Sequence, residues 1–279
     1  MIVVDVGANR GDFVESCLAH TSVSLVHAID PLPSNCKFMR ERFSKGGAIG
    51  RVVIHETAVS MIDKPYISFN ISNDEYGEVS SVLEVSEFVS RDPYWSSRED
   101  LQHFHTSKVA NIFATKLGHH LGFARDDVFL KVDAQGLDVQ LWNALQHQVV
   151  CGVVEVSAAP KRSLYKGATN SLEELFSVLS GDFEVYDLLS NDPNADELNV
   201  FLIKKGYPDD FLCTLVYGEN SFFSEKRNWV SSSAMRSACE RVEQLGSRIQ
   251  QLENRVVELE LRNRILEERN EILEERSRS

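Results

Sequence analysis

A run of β-branched residues that stops at a glycine constrains this chain more than any other stretch: Ile2-Val3-Val4-Asp5-Val6-Gly7-Ala8-Asn9-Arg10-Gly11-Asp12-Phe13. Ile2, Val3, Val4 and Val6 predict a strand buried on both faces, as central strands of parallel sheets are. Beyond Gly7 and Gly11 the apolar residues Val14, Cys17 and Leu18 recur at helical spacing. Asp12 and Glu15 stand where a capping box would place them. Strand, glycine-bearing turn and helix are the opening of a nucleotide-binding α/β domain. Such a turn brings bare backbone and a helix N-terminus to the carboxyl edge of the sheet.

Downstream, Ser24 to Ile29 reads as a second strand ending at Asp30-Pro31, with Asp30 placed 23 residues after Gly7. An acidic residue about 20 positions past the glycine turn accepts hydrogen bonds from ribose hydroxyls in such folds; otherwise Asp30 is a turn residue before proline. Val52 to His55 is a third strand, and Tyr66 to Ile71 alternates like an edge or hairpin strand. From 72 to about 127 we expect an inserted loop or lid, with helical periodicity over Val109 to Leu121. Val128 to Asp133 is the next buried strand, and Val149 to Val156 another. Ser171-Leu172-Glu173-Glu174 is a capping box. Phe183 to Leu188 and Leu198 to Lys204 are separated too briefly for a helical crossover, so they should pair antiparallel. The expected fold class is therefore α/β: a Rossmann-like, mostly parallel sheet with a terminal antiparallel hairpin, followed by a helical tail.

Composition narrows the partners. The net charge is −13 over 279 residues. From Met235 onward nine Arg stand against ten Asp/Glu, so nearly all of that charge lies in the body. An acidic body is a poor match for nucleic acid or an anionic membrane surface. Five widely spaced cysteines with no C-x-x-C suggest reduced thiols, and no apolar run approaches the length that spans a bilayer. With no leader ahead of the first strand, the expected compartment is the cytoplasm.

Four stretches resemble the FkbM-type class I methyltransferases: Val4-Asp5-Val6-Gly7-Ala8-Asn9-Arg10-Gly11, Ala28-Ile29-Asp30-Pro31-Leu32-Pro33-Ser34-Asn35, His55-Glu56-Thr57-Ala58-Val59-Ser60, and Leu130-Lys131-Val132-Asp133-Ala134-Gln135-Gly136-Leu137-Asp138. The likeness spans roughly residues 2 to 160. Gln135 and Asp138 stand where the family usually has Glu. The resemblance implies S-adenosyl-L-methionine as cofactor and O-methylation of a sugar, polysaccharide or related metabolite. Asp5, Gly7, Ala8, Asn9 and Gly11 would meet the methionyl part, with Asp5 reaching the ammonium directly or through water. Asp30 and Pro31 would meet the ribose, and Thr57 and Ala58 the adenine. A dinucleotide is disfavoured because the turn is G-x-x-x-G, without the glycine triplet that seats a pyrophosphate.

Asp133, at the tip of its strand, is the candidate for binding or deprotonating the acceptor, or else caps the following helix. Lys131 pairs with it or faces the other way. Glu155, His103, His105, His119 and His120 are lesser candidates, and no metal is expected. Tyr94 and Trp95 either stack on a sugar ring or anchor the insert.

From Arg241 the chain is a heptad repeat. Val242, Ile249, Val256, Asn263 and Asn270 occupy position a; Leu245, Leu252, Leu259, Leu266 and Leu273 occupy d. β-Branched a with leucine d favours two parallel strands, and asparagine at a fixes register. Arginine fills g from Arg241 to Arg276, and glutamate fills e at Glu253, Glu260, Glu267 and Glu274. In a parallel pair arginine meets glutamate; in an antiparallel pair arginine would face arginine. The expected organisation is a methyltransferase domain over 1–227, a linker over 228–234 and a coiled coil over 235–279 that forms a parallel homodimer. The alternative is a catalytically degenerate fold kept as an assembly scaffold.

Overall fold

In the computed structural model the opening run is β1 (Ile2–Val6), and it lies inside a seven-stranded sheet. The structure describes residues 1–73, 77, 79–93, 95–98, 103–122, 127–158, 164–168, 170–192, 197–218 and 221–223, with 244, 248, 251, 252, 254–256, 258–260 and 262–264 in the tail. On one side of β1 stand β2 (Leu25–Asp30) and β3 (Val52–Glu56). On the other stand β7 (Val128–Val132), β8 (Cys151–Ser157), β10 (Glu197–Lys204) and the edge strand β9 (Phe183–Asp192). The first five strands run parallel, and β10 is antiparallel to both β8 and β9. This is a Rossmann-like, mostly parallel sheet, ending in the antiparallel pair of β9 and β10.

Both faces of the sheet are covered, which is why its central strands are apolar throughout. On one face α1 (Asp12–Leu18), α2 (Pro33–Arg42) and α7 (Asp210–Tyr217) pack Phe13, Met39 and Leu215 onto Val3, Ala28, Phe129 and Phe201. Against β7 and β8 lie α5 (Asp138–Leu145) and α6 (Leu172–Val178), with Trp142 fully buried beside Phe183, ring centroids 5.3 Å apart. Burying each such side chain is worth about 1.5–3 kcal/mol.

The first helix does not carry the expected capping box. Gly11 takes the N-cap in a left-handed conformation, and Asp12 and Glu15 instead bind Arg42 of α2, at 2.5 and 2.6 Å. Ser171 and Glu174 do form one: the Ser171 hydroxyl accepts from Glu174 N, and the Glu174 carboxylate accepts from Ser171 N.

The stretch expected as a loop over 72–127 holds more structure than its sequence suggests. A three-stranded sheet, β4 (Ala58–Ser60), β6 (Phe104–Phe113) and β5 (Tyr66–Ser72) in that order, is built from this insert and the residues ahead of it. The insert also carries α3 (Glu87–Arg91) and α4 (Leu117–Leu121). Val109 to Phe113 is strand rather than helix. Val109 and Ile112 mimic a helical period, but β6 is paired on both edges, parallel to β4 and antiparallel to β5, and those ladders override the local pattern.

Cys17, Cys36, Cys151 and Cys213 are free thiols, the first three buried. No helix among the described residues is long and apolar enough to cross a membrane. The chain divides into two compact units, Met1–Met235 and Arg236–Ser279. The expected linker 228–234 lies outside the described residues, as do Val242, Leu245, Ile249, Leu266, Asn270 and Leu273. The described residues of the tail are helical and exposed, Leu252 and Val256 among them.

Candidate functional site

Between β1 and β7 the direction of the sheet reverses. From β1 the chain steps outward to β2 and β3, and it returns on the other side of β1 to begin β7. Ligands bind outside the carboxyl ends of strands at such a point. A crevice opens there, with about 640 Å³ of empty space between its walls, mouth included. Its walls are the turns after β1, β2, β3 and β7, closed on one side by Phe69 of β5 and Val82 of the insert.

Asp30 sits at the tip of β2 against this space, 5% exposed. Its Oδ2 accepts from Asn9 N at 2.9 Å; its Oδ1 accepts from Leu32 N at 2.9 Å and from Asn35 Nδ2 at 3.3 Å. The β1 turn is thereby tied to the β2 turn, helped by Gly7 N and Ala8 N, which both donate to Ile29 O. Burial pushes the Asp30 carboxyl up to about 7, against the pull of those three donors. Thr57 and Ala58 follow β3 into the crevice, where Leu32 and Phe69 add an apolar wall.

Opposite Asp30 stands Asp133, just past β7. Its Oδ2 is 3.2 Å from Lys131 Nζ, and its Oδ1 accepts from Gln135 Nε2 at 2.9 Å. Lys131 and Asp133 are two apart on an extended chain and so share a face. Lys131 is buried and also lies 3.2 Å from Oδ1 of Asp5 on β1. Burial works against the Lys131 ammonium, but Asp133 and Asp5 outweigh it and its pKa is raised. Asp5 is fully buried and neither of its oxygens has a hydrogen bond of good geometry among the described residues, so Lys131 holds it by charge. Burial raises the Asp5 pKa, with Lys131 opposing.

Asp133 does not cap the following helix, whose N-cap is Leu137 with no side-chain hydrogen bond; Asp138 binds the turn ahead of it. Its carboxylate accepts from Ala134 N and Gly136 N at 2.5 and 3.0 Å, fixing the turn after β7, and burial pushes its pKa up to about 6. Within that turn Gln135 adopts φ +50, and its side chain runs from Asp133 to the Tyr165 hydroxyl, which donates to Oε1 at 2.7 Å.

Gly7, Asn9, Asp30, Pro31, Thr57, Ala58 and Asp133 thus line one crevice. Asp5, Ala8 and Gly11 do not. A Cβ on Gly11 would come within 2.7 Å of the Phe43 ring, so that glycine serves the packing of α1 on α2. Leu32, Asn35, Phe69, Val82 and Gln135 line it as well; Asn35, five residues after Asp30 in a Pro-Ser-Asn helix start, was the one readable from the sequence. Trp95 is buried with Val79, Val89 and Tyr165, anchoring the insert; Tyr94 lies outside the described residues. His105 binds Asn73, and His120 lies 6.2 Å from His55, ring to ring.

No protein-family model matches the chain, and no curated protein matches it. Among solved structures it is similar to the Methanococcus jannaschii fibrillarin pre-rRNA processing protein, at 14% identity, 74% of this chain, 67% of that one and a TM-score of 0.38. It is similar also to precorrin-6y C5,15-methyltransferase from Geobacter metallireducens, at 12% identity, 74% and 81% coverage and a TM-score of 0.35. A mutant of MtNAS in complex with S-adenosylmethionine matches at 9% identity, 72% and 54% coverage and a TM-score of 0.35. The strand order, rather than these distant likenesses, assigns the fold.

Proposed function

We propose that this chain is an S-adenosyl-L-methionine-dependent methyltransferase that acts on a hydroxyl of a sugar, polysaccharide or related metabolite and works as a parallel coiled-coil dimer. The observation that carries the reading is Asp30, a carboxylate at the tip of the second strand, walled into the crevice at the sheet's reversal point. A carboxylate offers about four lone-pair sites, and Asp30 uses three for Asn9, Leu32 and Asn35. What remains suits a hydroxyl donor such as a ribose diol.

The rest of the crevice fits the same group. Thr57 and Ala58 are small, and with Leu32 and Phe69 they shape an apolar slot for a flat ring. Gly7 and Asn9 present backbone. Asp5 acts from below, through Lys131. The group would supply a methyl carbon activated by a sulfonium, so the protein has to align the acceptor and take its proton. Asp133 would receive that proton, with the Lys131 ammonium 3.2 Å from its Oδ2.

Calorimetric titration with S-adenosylmethionine and with S-adenosylhomocysteine tests the reading. Micromolar affinity is expected, with Asp30→Ala weakening it by about ten- to a hundredfold, as for one charge-assisted hydrogen bond at about 1.5–3 kcal/mol. Because the ionised carboxylate accepts a hydrogen bond from the diol, affinity should also rise about tenfold from about pH 6 to about pH 8, through the Asp30 pKa of about 7. No binding by the intact chain would favour the scaffold.

The dimer rests on the heptads. Exposure of Leu252, Val256 and Leu259, each about half uncovered, is what a single strand of such a pair would show. Replacing Glu253, Glu260, Glu267 and Glu274 with arginine should dissociate the dimer, since each attractive pair of some tenths of a kcal/mol becomes a repulsion. Unchanged sedimentation of that variant would rule out the parallel register.

A further inference from the structure

Beside the donor crevice lies a second, smaller cavity, with about 500 Å³ of empty space between its walls, open mouth included. It sits over the carboxyl end of β8, lined by Glu155, Ser157, Tyr165, Asn170 and Glu197, with Trp95 at its side. Gln135 lines both spaces. Its amide bridges them: Nε2 donates to Asp133 on the crevice side, and Oε1 accepts from the Tyr165 hydroxyl on the other. The backbone beneath is pinned as well, with Gln135 O accepting from Ser81 Oγ at 2.7 Å and φ at +50. A side chain in a left-handed turn between two cavities is an observed strain of the kind that collects at functional sites.

We propose that Gln135 is a latch between the donor crevice and a compartment for a neutral, hydroxyl-bearing acceptor, whose hydroxyl takes the place of the Gln135 amide on Asp133 Oδ1. The proposal rests on the methyltransferase reading. The amide N–H now occupies the lone pair that an acceptor O–H needs, at a distance of 2.9 Å. Glutamine suits this post because it must donate to Asp133 and accept from Tyr165 at once; a glutamate there would set a second carboxylate against Asp133. With the latch displaced, the acceptor oxygen bonds to the methyl carbon as the carbon–sulfur bond breaks, and the hydroxyl proton passes to Asp133 and on to water. The lining favours a neutral acceptor over an anionic one. Two of the described residues around the cavity are carboxylates and none is basic. The same acidic surroundings, after burial, raise the Tyr165 phenol pKa, through Glu197, Glu155, Asp133 and Asp138.

The test uses a matched pair of probes on the full chain without cofactor, myo-inositol and myo-inositol 1-phosphate, followed by NMR at the Gln135 side-chain amide and the Ala168 methyl of the second cavity. Gln135→Ala removes the latch, and Tyr165→Phe releases its far end, together with the hydroxyl's 3.0 Å contact to Val79 O, while keeping the ring. Myo-inositol should shift the Ala168 methyl, with its dissociation constant lowered about tenfold by Gln135→Ala and about threefold by Tyr165→Phe. In the wild-type protein it should also move the Gln135 amide. Equal constants in all three proteins, equal binding of the phosphate, shifts confined to the Ala58 side, or no binding of myo-inositol would each overturn the proposal. Failure of the methyltransferase reading would show separately, as absent S-adenosylhomocysteine binding in wild-type calorimetry.

Discussion

Replacing Lys131 with methionine is expected to destabilise the fold by about 3–5 kcal/mol, the usual cost of stripping one partner from a buried ion pair. Lys131 stands 3.2 Å from each of two carboxylates, one of them in Asp5, which is fully buried. Methionine keeps the length and apolar stem but leaves Asp5 without its counter-charge. Asp5 would then gain a proton more readily than it already does. A carboxyl whose folded pKa lies above its ordinary 3.8 contributes stability that is complete below that value and is lost as pH rises through the folded pKa. The variant should therefore be more stable near about pH 5 than near about pH 8. Adding Asp5→Asn removes the stranded charge and should restore most of the loss. Urea denaturation of the three proteins measures all of this; a single-variant loss under about 1 kcal/mol would show that the cluster is solvated after all.

Gly7→Ala should be nearly as damaging, by about 2–5 kcal/mol, combining left-handed strain with overpacking. Gly7 has φ +80, and a Cβ there would fall 1.9 Å from Asp133 O. That oxygen is backbone, in the segment where Asp133 N donates to Val6 O, and it cannot swing aside. The tips of β1 and β7 would have to part, and the crevice with them. Gly11→Ala offers a comparison, because its Cβ would meet side chains rather than backbone, the Phe43 ring at 2.7 Å and Met39 Cγ at 3.2 Å, both able to shift. Thermal melting should place Gly11→Ala well above Gly7→Ala, and the reverse order would refute the packing argument.

These contacts mark the boundary of what the primary structure discloses. The strand-glycine-helix opening, Asp30 at a strand tip and the final antiparallel pair were legible because each rests on local periodicity or a short connection. The site residues Thr57 and Ala58 entered through a motif resemblance and proved to sit on the same wall. What escaped was set by neighbours distant in sequence. Asp12 and Glu15 read as caps until Arg42, some thirty positions on, claimed both. Gly7 and Gly11 read as room for a ligand, yet the space their missing Cβ atoms leave is filled by Asp133 and Phe43. β6 passed for helix because nothing in its own residues reveals that β4 and β5 flank it. Asp133 read as a possible helix cap for the same reason, since only the fold decides that the turn's amides reach Asp138 instead.

The walls around Asp30 are drawn from turns near residues 8, 31, 57 and 134, from β5 at Phe69 and from the insert at Val82. Backbone hydrogen bonds already join the four turns, from Gly7 N and Ala8 N to Ile29 O, from Thr57 N to Asp30 O and from Asp133 N to Val6 O. A molecule wedged among them would behave as a removable crosslink, fastening together loops that span half the polypeptide and coupling the insert's order to the sheet's.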